Sequence, residues 1–328
     1  MNNTGLTFLR HDLLLNPNIV RKSLDVYYIP SSSSPSSKPT ASVRLVHSFF
    51  LPTLKIGQRF THVSCRSDPN PTSGGTFPKY SRRNRPFAND PDCAIIIFTF
   101  ETRSFNGVGS RDFVMITHRK SLLELLPPFV LPAVATKVFT RQNETNFFRS
   151  HSMTATPWNS WGPPNTRWFN ADDFPTMFIT TTSGQRCVQF VPSIRGIVPD
   201  PLDRPDTILV LDFNPWHVKL AKHVGYVSNP DDVFGLVGEV PTTVVETNAQ
   251  ELQANICPVH GVFTEDIVGR LPYLVCQAHQ KWGYHAVLMD EERLLGIKAS
   301  FHLRSTLQLL NLKSNRPRKN LTTRHLLM

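Results

Sequence analysis

The residues best placed to do chemistry are two Cys-x-x-His pairs, Cys257-Pro-Val-His260 and Cys276-Gln-Ala-His279, with fifteen residues between them. Two thiolates and two imidazoles form the ligand set of a tetrahedral zinc site, so Cys257, His260, Cys276 and His279 are a candidate metal centre. The competing reading is ordinary. Cys276 falls in LPYLVCQA, which reads as a strand, and alternation along a strand sends Cys276 and His279 to opposite faces. Buried thiols and surface histidines then account for all four. No other cofactor is implied.

A second cluster is aromatic. PWNSWGPPNTRWF places Trp158, Trp161 and Trp168, three of the five tryptophans, within eleven residues of Pro-rich sequence. Trp and Arg are favoured at recognition hot spots, so Trp158, Trp161, Arg167 and Trp168 are candidate partner-binding residues. The same rings also suit gap-filling between sheets beneath a long connector, and that reading carries more weight.

Catalytic patterns are weak. No Gly-x-Ser-x-Gly elbow, P-loop or Gly-rich dinucleotide fingerprint occurs. Cys187 lies in the middle of a strand-like run, away from any strained turn or helix start that would activate it. Asp172–Asp173, Asp231–Asp232 and Glu291–Glu292 are sequence neighbours, and such pairs mark solvated turns more often than an acid/base couple. The expectation is a binding module and not an enzyme.

Charge is concentrated in two places. Lys55, Arg59, Arg66, Lys79, Arg82, Arg83 and Arg85 oppose only Asp68, a local net of +6 against +10 for the whole chain. Lys313, Arg316, Arg318, Lys319 and Arg324 add +5 with no acid from residue 312 on. Basic segments of this kind can engage nucleic acid through phosphate contacts. The central domain offers no basic face interleaved with aromatics and no helix-turn-helix or zinc-finger spacing, so a solvated loop and tail is the preferred reading and nucleic acid the alternative. Five cysteines, an odd and sparse set, suit a reducing compartment. The start, MNNTGLTFLRHDLLL, is a poor signal peptide, and the longest apolar run, Ala94 to Phe98, is far short of a membrane span. The expected setting is intracellular, cytoplasmic or nuclear, with no membrane partner.

The elements that must position these residues are short and extended. With 27 prolines against 16 glycines in 328 residues, long helices are not expected. GQRFTHVSC alternates as a strand, AIIIFTFE and DFVMITHR make a hairpin across SFNGVGS, and KSLLELL gives a turn or two of helix before Pro127. TMFITTT and QRCVQFV pair across Ser183–Gly184, and TILVLDF follows as a buried strand. LPYLVCQA and HAVLMDEERLLGIKA read as the last pair. The fold class is therefore all-β and mainly antiparallel, a hairpin array of partial propeller-like or sandwich type with short helices and long loops. Residues 1 to 56, with the Ser/Pro run 31 to 40, read as a poorly ordered segment; 57 to 300 as the β-rich interaction domain with a basic loop at 66 to 92; 301 to 328 as a basic tail.

Four stretches, RDFVMITHRKSLLELLPP, PWNSWGPPNTRWFNADDFPTMFITTTSGQRCV, ILVLDFNPWHV and LPYLVCQAHQKWGYHAVLMDEERLLGIK, carry a family likeness over about residues 90 to 300. In this order they resemble the C-terminal half of a large group of F-box proteins of mushroom-forming fungi. The resemblance implies a β-rich half that receives a target protein, while an N-terminal F-box docks the Skp-type adaptor of a ubiquitin ligase. Residues 1 to 56 lack the amphipathic helical pattern and Leu-Pro-x-Glu-like opening of such a box, so adaptor docking would need a box upstream.

Overall fold

Alternation and turn chemistry divide the chain into short extended runs, and the computed structural model arranges them in four sheets. It describes residues 3–30, 43–71, 90–106, 109–128, 154–171, 182–191, 207–223, 242–245, 261–277, 286–290, 293–299 and 305–311. Along the chain come β1 (Asn3–Thr4), β2 (Thr7–Arg10), β3 (Leu13–Asn18), β4 (Ser23–Tyr28), β5 (Arg44–Phe50) and β6 (Gln58–Arg66). Next are β7 (Ile95–Ser104), β8 (Ser110–His118), α1 (Arg119–Glu124), β9 (Thr154–Thr156), α2 (Trp158–Asn165) and β10 (Thr166–Asn170). After them stand β11 (Thr182–Ser183), β12 (Arg186–Val191), β13 (Thr207–Asp212), α3 (Pro215–His223), β14 (Thr242–Val245) and β15 (Tyr273–Gln277). The last three strands are β16 (Ala286–Met289), β17 (Arg293–Ala299) and β18 (Ser305–Asn311).

The first sheet runs β2-β3-β4-β5-β9 and the second β1-β6-β7-β8-β10. The third runs β11-β12-β13-β15-β14 and the fourth β16-β17-β18. Pairing is antiparallel except for β1 on β6 and β9 on β5, so the all-β, mainly antiparallel class holds. The sheets pack face to face in chain order, with an apolar layer between each neighbouring pair.

That stacking explains the unbroken apolar run at β7. A strand with one wet face alternates, whereas a strand covered on both faces is apolar throughout. Ile96, Phe98 and Phe100 enter the layer against the first sheet, while Ile95 and Ile97 enter the layer against the third. On β8, Phe113 and Met115 take the first direction and Val114 and Ile116 the second. Val188 and Ile208 of the third sheet meet Val287, Met289 and Leu294 of the fourth.

Three expectations are corrected. Residues 1 to 56 are not poorly ordered over their described part: Leu9, Leu13, Leu15, Leu24, Val26 and Phe49 are fully buried members of the first layer. Burial of each such side chain contributes about 1.5–3 kcal/mol, enough to fold the segment despite the Ser/Pro run, which lies outside the described residues. Buried Asp25 ties β3, β4 and β5 together, accepting from Ser23 Oγ at 2.8 Å, Ser48 Oγ at 2.7 Å and Asn18 Nδ2 at 2.9 Å. Close approach of the chain after β1 needs glycine. Gly5, at φ +126°, would place a Cβ 2.5 Å from the Cys65 carbonyl oxygen.

The second correction concerns the tail. Ser305–Asn311 pairs in register with β17, so the stretch from 301 on begins with a strand. The third concerns the last pair: β15 joins β13 and β14 in the third sheet, while β16 and β17 make their own hairpin in the fourth. The α3 helix is also new relative to the sequence reading. Pro215 opens it, and Asp212 accepts from Asn214 N at 2.8 Å and His217 Nδ1 at 2.7 Å to fix its entry.

Candidate functional site

The Trp-rich segment folds into α2 and β10, and this local structure sorts its side chains. Pro163 and Pro164 lack N–H groups, leaving the carbonyls of Asn159 and Ser160 to solvent at exposed positions. Further on, Asn165 Nδ2 donates to Trp161 O and Thr166 Oγ1 to Gly162 O, both at 2.8 Å, closing the helix. β10 then pairs with β8, setting Trp168 opposite Met115. Alternation sends Trp168 into the layer with the first sheet, and Phe169 into the layer with the third.

The result is an aromatic cluster. Trp161, fully buried, lies 5.2 Å from both Phe49 and Trp158 and donates from Nε1 to Phe50 O at 2.8 Å. Trp168 stacks on Phe100 at 5.2 Å and meets Trp158 and Phe263 edge-on, each at 5.8 Å. Trp161 and Trp168 are therefore core residues and not a recognition surface, because burial in this apolar layer leaves them no face for a partner. Arg167 points the other way. Its guanidinium donates to Gly269 O at 3.2 Å and lies over the Tyr273 ring at 5.2 Å, bracing the chain into β15.

Of the four, Trp158 lines a pocket. A pocket of about 270 Å³ opens where the end of β5, the start of α2 and the segment 264–267 converge. Phe50, Leu51, Pro52 and Thr53 form one wall, and Pro157, Trp158 and Asn159 a second. Thr264, Glu265 and Ile267 complete the lining. The floor is apolar and aromatic, with polar side chains at exposed positions on the rim.

These walls are tied by main chain. Leu51 N donates to Lys22 O at 2.8 Å, Lys55 N to Val262 O at 2.8 Å and Thr264 N to Thr53 O at 2.9 Å. A bridge between Leu54 and Phe263 lies beside these bonds. Gly162 matters equally: the Trp158 ring lies so close over it that a methyl group there would overlap the ring. The ring position thus depends on a glycine one turn on, at i+4.

The parallel pair β5–β9 positions both walls, since Leu51 follows β5 directly and Pro157 follows β9. Buried His47 clamps that pair, with Nδ1 2.8 Å from Thr154 Oγ1 and Nε2 3.0 Å from Thr156 Oγ1. Burial disfavours the imidazolium and lowers the His47 pKa to about 4. His47 is neutral at pH 7, one ring nitrogen donating and the other accepting.

Other reactive groups are spent on structure. Burial pushes the Cys65 thiol up to about 12, and burial with the neighbouring Asp90 carboxylate pushes Cys93 up to about 11. Cys187 is raised as well by complete burial. The guanidinium of buried Arg119 donates to Pro91 O, to Ser67 Oγ at 2.8 Å and to Pro69 O at 2.9 Å, pinning the chain on either side of the basic loop. His217 beside Asp212 is raised above the ordinary imidazole value by that hydrogen bond.

Of the proposed metal ligands, Cys276 sits on β15 opposite Val210 and Thr242, half-buried. Cys257, His260 and His279 lie outside the described residues. Among the described residues no group of three His, Cys, Asp or Glu is placed to hold a metal ion, and no helix is long and apolar enough to cross a membrane.

Sequence reasoning found Trp158 but missed the other walls. The Leu51-Pro52 and Pro157-Trp158 dipeptides were a signal, since each ends a strand with a rigid apolar step. Ile267 and Glu265 had none, because only the fold brings residues 264–267 beside residue 53. In comparisons with known proteins, no family model, no curated protein and no solved structure matches the chain.

Proposed function

We propose that this chain is a non-enzymatic protein-interaction domain that receives a side chain of its partner in the pocket between β5, α2 and segment 264–267. The observation that carries the reading is the construction of that pocket. An apolar floor containing Trp158 is held open by main-chain hydrogen bonds, so binding need not order it. At about 270 Å³ it lies just below the range typical of drug-sized ligands, about 300–1,000 Å³, and fits one side chain with its flanking backbone. Buried aromatic anchors at pocket floors are the usual energetic centres of such contacts.

The resemblance to fungal F-box proteins supplies a context for this reading. There the partner would be a protein marked for ubiquitin transfer, and a Skp-type adaptor would bind a separate helical box. The described part of residues 1 to 56 is sheet, so such a box would lie elsewhere.

A random peptide library selected on the full chain tests the proposal. The expected result is a recurring sequence whose binding is lost in Thr264→Phe, which fills the pocket from an exposed rim position. Peptides that bind the variant equally well, or a selection without enrichment, would refute it.

A further inference from the structure

Among the described residues, Glu265 is the only charged side chain lining the pocket, and it makes no hydrogen bond or ion pair with another described residue. Asn159, across the rim, is likewise unengaged. The rest of the lining includes the apolar side chains of Pro52, Pro157 and Ile267 and the indole of Trp158, with Thr53 and Thr264 on the rim. An occupant matched to this arrangement has a long apolar stem, a cationic head and a hydrogen-bonding backbone. We infer that the pocket takes a lysine or arginine side chain of an extended segment of a partner protein.

The stem of such a residue lies along proline and indole surface while its head stays near water, as long basic side chains do at apolar rims. The head faces the Glu265 carboxylate at the rim. One feature acts in the opposite sense: the first turn of α2 carries no side-chain cap, and its N–H groups other than Ser160 N, which donates to Pro157 O at 3.0 Å, favour negative charge. Those donors suit the backbone carbonyl oxygens of a bound segment. A full carboxylate outweighs the roughly half charge at a helix end, so the pocket selects a cation at its rim.

The inference rests on the proposal that the pocket receives a side chain, and the test separates the two. N-acetyl-lysine methylamide, its neutral norleucine isostere and N-acetyl-glutamate methylamide are titrated into the full chain labelled with 5-fluorotryptophan. The Trp158 resonance is the readout. Single residues of this size bind with dissociation constants on the order of 1 mM. The lysine probe is expected to bind about three- to fivefold more tightly than norleucine, from one exposed charge pair. Glu265→Gln should bring that ratio within about twofold, and 1 M salt should do the same by screening. Equal binding of lysine and norleucine, or preference for glutamate, would overturn the cationic assignment while leaving the pocket proposal intact. If none of the probes moves Trp158, both fall.

Discussion

Acid should open the β5–β9 clamp before it unfolds the rest of the chain, and His47 sets the pH. In the unfolded chain this imidazole has its ordinary value near 6.5, and in the fold it is lowered to about 4. A depressed folded pKa means that the unfolded state takes up the proton first. The contribution is complete above pH 6.5 and is lost as pH falls toward 4. The full difference of about 2.5 units corresponds to about 3 kcal/mol, of which about 2 kcal/mol is already gone at pH 5. His217 works in the opposite sense. Its folded value is raised by Asp212, so its contribution is present below 6.5 and fades as pH rises through the folded value. Because its side chain is half-exposed, that effect is small. Urea unfolding followed by tryptophan fluorescence at pH 7.5, 6 and 5 should show the wild-type midpoint falling steeply across this window. His47→Gln, which has no proton to gain, should show a much flatter profile. Ligand binding in the pocket should weaken over the same range, because both walls leave the clamp. Identical pH profiles for the two proteins, or a His47 imidazole resonance titrating near 6.5, would refute the reasoning.

Substitution of two tryptophans should separate core from surface: Trp161→Ala, at a fully buried ring, is expected to cost about 3–5 kcal/mol. Trp216→Ala, at a ring 75% exposed, should stay within about 0.5 kcal/mol by chemical denaturation. Gly162→Ala would gain about 1 kcal/mol from helix propensity alone, yet it should lower the unfolding midpoint and abolish pocket binding because the Trp158 ring is displaced. Arg119→Met should destabilise by about 2–3 kcal/mol, since Pro91 O, Pro69 O and Ser67 Oγ lose their donor together; calorimetric unfolding of the two proteins gives the difference.

Local pattern made the strands legible. GQRFTHVSC and DFVMITHR alternate or run apolar at strand length, and their flanking turns are punctuated by Gly and Pro, so β6 and β8 could be read directly. The stacking was half legible: AIIIFTF announced a strand covered on both faces, but nothing local says which sheets cover it. The first sheet was hidden because its apolar residues are interrupted by Asn16, Asn18 and the Ser/Pro run, whereas its stability comes from Leu9, Leu13 and Phe49 meeting Phe98 and Trp161 across the layer. The pairing of LPYLVCQA failed for a related reason. Sequence adjacency favoured the next run, but Leu274 and Val275 found register on β13 and β14. At the site, aromatic clustering pointed to Trp158, while the helix turns Trp161 inward and strand alternation along β10 does the same for Trp168. Glu265 and Ile267 arrive from more than a hundred residues away, through a contact no periodicity encodes.

The most direct measurement is fluorine NMR of the 5-fluorotryptophan-labelled chain, its five resonances assigned by single substitutions, with the peptide recovered by selection added stepwise. A saturable shift of Trp158 is expected, with Trp161 and Trp168 nearly unmoved behind it. A response confined to Trp216, on the outer face of α3, would contradict it and place binding on a different surface.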